Sequence, residues 1–164
     1  MTPIRTILHP TDFSENSELA LSVARDLAGH HRARVVILHV SPVPAEAATT
    51  DELKSKQTIC RDALETIKTR SESDDGDVDI EVQLKMGDIA SGILDAAVAM
   101  RADLIVIGAE GCSAARKALM GSVADAVMRG AACPVLAVSL PQAFGNPERG
   151  SAPRANADGR VTGD

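Results

Sequence analysis

The 164-residue chain contains no tryptophan, no tyrosine and only two phenylalanines. Its core must therefore be filled with Val, Ile, Leu and Ala. A planar ligand would lie on aliphatic walls, because an aromatic sandwich is excluded. Cysteine is sparse too: Cys60, Cys112 and Cys133 are odd in number and far apart. That pattern suits neither a disulfide framework nor a structural zinc site, and it fits a reducing cytoplasm. No apolar run approaches the roughly 20 residues that a membrane-spanning helix needs. The opening stretch MTPIRTILHPTD also lacks the apolar centre of an export signal. A soluble, unexported protein with no membrane partner is expected. Positive charge is in deficit: 17 Lys and Arg against 23 Asp and Glu give a net charge of -6. A phosphate backbone would meet a repulsive overall field, so no nucleic-acid partner is expected.

What is present is enough for one core, since 45% of the residues are hydrophobic. Residues 1–141 read as a single domain. From 142 to 164 the composition turns to Gly, Pro, Asn, Asp and Arg, which reads as a disordered tail. Short apolar runs at 4–9, 35–40, 78–84, 104–108 and 135–138 read as five strands. VVILHV and LIVIG are apolar at consecutive positions, as in strands covered on both faces, whereas VDIEVQL alternates and belongs nearer an edge. Between the strands lie helical stripes: Ala20, Val23, Ala24 and Leu27; Cys60, Ala63, Leu64 and Ile67; Ile93, Ala96, Ala97 and Met100. A fourth helix begins at Ser122, carries Val123, Ala126 and Val127, and is expected to stop at Gly130. Strict alternation predicts an α/β fold: a doubly wound, Rossmann-like, five-stranded parallel sheet with right-handed crossovers and helices on both faces. SPVPAEAATTDELKSKQ, after the second strand, reads as a mobile loop able to fold over a ligand before the second helix.

In such a sheet ligands bind beyond the carboxyl ends of the strands, where the strand order reverses. PTDFSEN follows the first strand, VSPVP the second, KMGD the third and a glycine-rich stretch the fourth. Gly108 and Gly111 permit close backbone approach, and Gly121 stands before a helix whose first amides lack internal partners. Ser122 adds a hydroxyl where the helix dipole favours an anion, so phosphate oxygens are the natural occupants. An ordinary turn at Gly108 and Gly111, with Ser122 and Asp125 forming a helix cap, would account for the same residues. Walker A is ruled out because no Gly precedes a Lys, and the dinucleotide pattern is ruled out because G-x-G is absent.

Single residues carry alternatives. Asp12 either touches a ligand or caps the first helix together with Glu15. His9 and His39, at strand ends, read as satisfied core residues, and His30 and His31 as a solvated helix end. His9, Asp12 and Ser14 would supply triad chemistry, but no nucleophile elbow surrounds Ser14. Cys112 is a reactive thiol or a small loop residue, while Cys60 and Cys133 read as packing.

The spacing Gly108-x2-Gly111-x9-Gly121-Ser122, with ILHPTDFSENSELAL, VVILHV, Gly87 and CPVLAV, resembles the universal stress protein family over roughly residues 1–140. More narrowly, it is similar to the branch with the nucleotide motif G-x2-G-x9-G-(S/T). The resemblance implies ATP, AMP or ADP as ligand, and a Mg2+ ion bridging Glu110 or Asp12 to phosphate is one way to offset the negative charge of Glu110. The same resemblance implies Asp12 beside the adenosine, Pro10 and Thr11 lining the base, and Val40 flanking the adenine. Gly108 and Gly111 would approach ribose and phosphates, and Gly121, Ser122 and Val123 would hold phosphates. Gly87 belongs to the same implied site. The chain departs from the family in carrying Glu110 and Cys112, for which Arg116 and Lys117 would compensate. The implied role is a cytoplasmic, nucleotide-responsive stress or signalling module, a homodimer through the last strand rather than an enzyme, with slow hydrolysis at most. One alternative is a nucleotide-free relative acting through dimerisation. The other, an adenylating enzyme of the ATP pyrophosphatase type, would need a Ser-Gly-Gly-x-Asp-Ser loop where this chain has PTDFSEN.

Overall fold

Among the described residues nine elements alternate: β1 (Thr6–Pro10), α1 (Glu15–His31), β2 (Arg34–Ser41), α2 (Thr50–Asp74), β3 (Ile80–Met86), α3 (Ile89–Ala99), β4 (Leu104–Gly108), α4 (Ser122–Gly130) and β5 (Val135–Val138). They come from a computed structural model that describes residues 3–43, 49–74, 78–109 and 121–140. The expected tail at 142–164 lies outside the described residues. All strand pairs are parallel, in the order β3-β2-β1-β4-β5.

The period of two along each strand divides the core into two layers. Ile7, Val35, Ile37, Ile80, Leu104 and Val106 face the cluster completed by Ala20, Ala24 and Ala28 of α1 and Leu64 and Ile67 of α2. Leu8, Val36, Leu38, Val40, Ile105 and Ile107 face Ile93, Ala96 and Ala97 of α3 and Ala124 and Val127 of α4. The doubly wound sheet expected from the alternation is thus the observed fold. The alternating strand, β3, is an edge, as its pattern predicts, and so is β5. Among the described residues, no helix is long and apolar enough to cross a membrane.

Three local expectations need correction. β1 starts at Thr6 rather than residue 4: the amides of Arg5 and Thr6 both donate to Asp103 Oδ2, at 2.9 and 3.0 Å. Its pairing to β4 begins only at Ile7 opposite Leu104. β3 runs two residues later than expected, because its ladder to β2 opens at Val35 opposite Ile80 and closes at Ser41 opposite Met86. Gly130 is the last residue inside α4, not the residue that stops it, and the cap position, Ala131, is extended. A side chain at Gly130 would meet Leu94 Cδ1 at 2.7 Å, so its smallness serves the contact between α3 and α4.

Candidate functional site

The strand order changes direction between β1 and β4, and a cavity of about 450 Å3 opens there at the carboxyl ends of the strands. Pro10, Leu38, Val40 and Ile107 supply its apolar strand wall, while Ile89 and Ile93 of α3 and Val123 and Ala124 of α4 close it from the helix side. Gly92 lets α3 sit this close, since a Cβ there would lie 2.9 Å from Val40 Cγ1.

The N-termini of the four helices are not treated alike. The N-terminus of α1 is capped by Ser14, whose hydroxyl accepts from Ser17 N. That of α2 carries a reciprocal box, with Thr49 N donating to Glu52 Oε2 and Glu52 N to Thr49 Oγ1. At α3, Asp88 Oδ1 accepts from Ser91 N at 2.9 Å, and that backbone bond holds the Asp88 carboxyl below its usual range. At α4 the cap residue is Gly121, with no side-chain cap bond. Asp125, in its first turn, is tied instead to Arg129 Nε at 3.0 Å. Ser122 is therefore the first helical residue and not a cap, and Asp12 is not the cap of α1. Gly121, Ser122, Val123 and Ala124 at the start of α4 line the cavity, and among the described residues the cap position, Gly121, supplies no side-chain bond to the first amides. Such an end attracts an anion.

Opposite lies the β1–α1 turn. Asp12 Oδ1 accepts from Ser14 N at 3.0 Å and from the Ser14 hydroxyl, an Asx turn. Phe13 sits at φ 64, a conformation unusual for a side chain of its size, held by its amide bond to Thr11 Oγ1 at 3.1 Å. The Phe13 ring packs on His39, with centroids 4.6 Å apart. His39 Nδ1 donates to the Thr11 carbonyl at 2.8 Å. His9 is fully buried, with Nδ1 bonded to Val106 O at 2.9 Å and Nε2 3.5 Å from Ser17 Oγ. Desolvation lowers its pKa to about 4, against the smaller opposing effects of the Val106 bond and the Asp12 charge. Neither ring nitrogen meets Asp12 or Ser14, so no triad is assembled.

Of the residues anticipated for a site, Pro10, Thr11, Asp12, Val40, Gly108, Gly121, Ser122 and Val123 all line this one cavity. Gly87 does not, and its φ of 142 with an amide bond to Ser41 O explains the glycine by backbone geometry alone. Gly111, Arg116, Glu110, Cys112 and Lys117 lie outside the described residues. Gly108 reaches the cavity, yet a Cβ there would point at α1, 3.1 Å from Asn16 C and Ser17 N. Its bareness serves the approach of that helix. Sequence reasoning passed over His39, Ser17, Ile89 and Ile93 as wall residues. The spacing of Ile89 and Ile93 at i, i+4 was the available signal for the latter two. No cluster of three metal-ligating side chains exists among the described residues.

The model of the universal stress protein family matches residues 3–139. The chain belongs to the universal stress protein family. A universal stress protein of Thermus aquaticus is 33% identical over 138 residues, 82% of this chain and 98% of that one. The structure of the universal stress protein UspA from Lactobacillus plantarum superposes with a TM-score of 0.76 at 23% identity, covering 84% of this chain and 99% of that one, which bears on the fold. A universal stress protein solved in complex with cAMP gives a TM-score of 0.67 at 26% identity, covering 84% and 98%. This family assignment agrees with the resemblance in the sequence; the nucleotide branch is a finer matter.

Proposed function

We propose that this universal stress protein binds an adenine nucleotide, ATP, ADP or AMP, in the cavity between the β1–α1 turn and the start of α4. The bound state would tune its surface for partners in the cytoplasm. The observation that carries this reading is the uncapped α4 N-terminus, open to a cavity whose remaining walls are largely apolar. Phosphate oxygens suit the first, and a base and ribose suit the second. Asp12, which lines the cavity, would accept from ribose hydroxyls, and Mg2+ would arrive with the nucleotide. The cAMP-bound relative supports a purine nucleotide as the chemical class. Dimerisation through β5 belongs to the same proposal. That strand is an edge, and Leu136 and Leu140 are 38% and 39% exposed on or just beyond it.

Thermal melts of the purified protein with ATP or AMP, with and without Mg2+, test the ligand. A nucleotide at a hundred times its Kd adds about 2.7 kcal/mol of stability, which for a domain of this size raises Tm by about 8 °C. Unchanged melting at millimolar nucleotide would instead support the nucleotide-free alternative. Chromatography of the same mixtures should recover the nucleotide intact or only slowly hydrolysed. Release of pyrophosphate would point to adenylation.

A further inference from the structure

At the end of the sheet away from the cavity, the two strands that flank β1 are entered in the same way. α1 runs into β2 through HRAR, and α3 runs into β4 through MRAD. In each an arginine sits in the left-handed region, Arg32 at φ 54 and Arg101 at φ 52. The alanine after it closes the helix: Ala33 N donates to Ala28 O and Ala102 N to Ala97 O, both at 2.9 Å. Glycine is the favoured residue in such a turn, because a side chain there crowds the backbone. Between the two turns, Arg5 leads into β1. Its amide donates to Asp103 Oδ2 at 2.9 Å and its carbonyl accepts from Arg34 N at 3.0 Å, which ties it to both flanking entries. Arg5, Arg32 and Arg101 are exposed, and among the described residues none of them has an ion-pair partner. The charges beside them are already engaged. Arg34 pairs with Glu81 at 3.6 Å, and Asp103 Oδ2 accepts from the amides of Arg5 and Thr6.

Folding alone does not account for these arginines. A cation near a helix C-terminus complements the dipole, but one in the last helical turn does so without a left-handed backbone. The side chains therefore serve something outside the fold. Because β2 and β4 are both neighbours of β1, their entries lie two strand spacings apart, about 10 Å, a distance that about three residues of extended chain cover. Negative charge bounds the cluster on the β3 side, where Asp79 and Glu81 are exposed and the sequence leading into the strand is ESDDGDVD. A long polyanion or an anionic bilayer would run onto that charge, whereas a short segment would not. We infer that Arg5, Arg32 and Arg101 form a docking surface for a short acidic segment of a partner protein, at the opposite end of the sheet from the cavity and independent of what the cavity holds.

Fluorescence anisotropy of the full chain with a labelled octaglutamate peptide at low salt, together with thermal melts, tests the inference. The wild type should bind the peptide and release it as NaCl is raised. A protein carrying both Arg32→Gly and Arg101→Gly should bind about fivefold more weakly or worse. Its Tm should stay level or rise by about 3 °C, since glycine relieves the left-handed backbone. A protein carrying both Lys54→Ala and Lys56→Ala loses the same charge from exposed positions on α2 and should bind as the wild type does. No binding by the wild type, or an equal loss in the lysine variant, overturns the docking surface. A glycine variant that melts clearly below the wild type would show that the arginines serve the fold, and overturns it as well. Tighter binding of phosphatidylserine vesicles or duplex DNA than of the peptide would give the surface to another class of partner and overturn the inference in that way.

Discussion

Gly108→Val is expected to lose about 3 kcal/mol of folding stability with no ligand present, whereas Gly121→Val should lose no more than about 1 kcal/mol and give up the response to nucleotide. The two glycines look equivalent in the motif, but they do different work in the fold. The Cβ direction at Gly108 meets the backbone of α1, with Asn16 C and Ser17 N at 3.1 Å and Asn16 O at 3.2 Å. Backbone cannot swing aside as a side-chain end can, so α1 would have to retreat from β4 along with Ala20 and Ala24, both fully buried. Gly121 has φ -69 and ψ 153, which any residue can adopt. A valine there keeps the helix and covers the amides behind it. Urea unfolding of both variants, each with and without ATP, separates the two effects. Wild-type stability in Gly108→Val would mean that α1 does not press on β4 as described.

Acid should weaken the protein well before its carboxylates titrate. His9 has a folded pKa of about 4 against 6.5 for the free side chain. Between those values the unfolded chain binds the proton that the folded chain refuses, so stability falls with falling pH. The contribution is complete above about pH 6.5 and is lost as pH drops toward 4; over that window it amounts to about 3 kcal/mol. Asp88 works in the same direction but lower, because its carboxyl is held below 3.8 by the Ser91 bonds and gives up its stabilisation only as pH falls past that value. Urea unfolding free energies from pH 7.5 to 4.5, compared with a His9→Leu variant, measure the difference. The wild type should show the steeper decline. Equal slopes would remove His9 as the cause.

Much of this was readable without coordinates. Five apolar runs and four helical stripes sufficed for the sheet, because strand burial and helix amphipathicity depend on local periods that a chain displays directly. The same holds for Gly121 and Asp12 near a strand mouth, since ligand sites in these sheets follow from topology. Caps were harder. Asp12-x-x-Glu15 and Ser122-x-x-Asp125 both look like capping pairs. Yet α1 is capped by Ser14, two residues beyond Asp12 and just after the turn at Phe13 with φ 64, and α4 starts from a bare glycine. Glycine roles were harder still. Gly87 is explained by its own φ, Gly108 by α1 and Gly130 by Leu94, and each explanation depends on what lies across space. The contacts from Ser17 to His9 and to Thr11 were invisible for a different reason. They join residues eight and six positions apart through a strand and a helix whose relative placement only the fold decides.

The central claim is that the α4 N-terminus stands uncapped so that a phosphate can cap it. Amide 15N spectra recorded during titration with AMP, and separately with adenosine, test it most directly. AMP should shift the Ser122, Val123 and Ala124 amides strongly, while adenosine moves the Thr11 and Val40 neighbourhood and leaves those three near their starting positions. Saturation by AMP with the α4 amides unmoved would contradict the account.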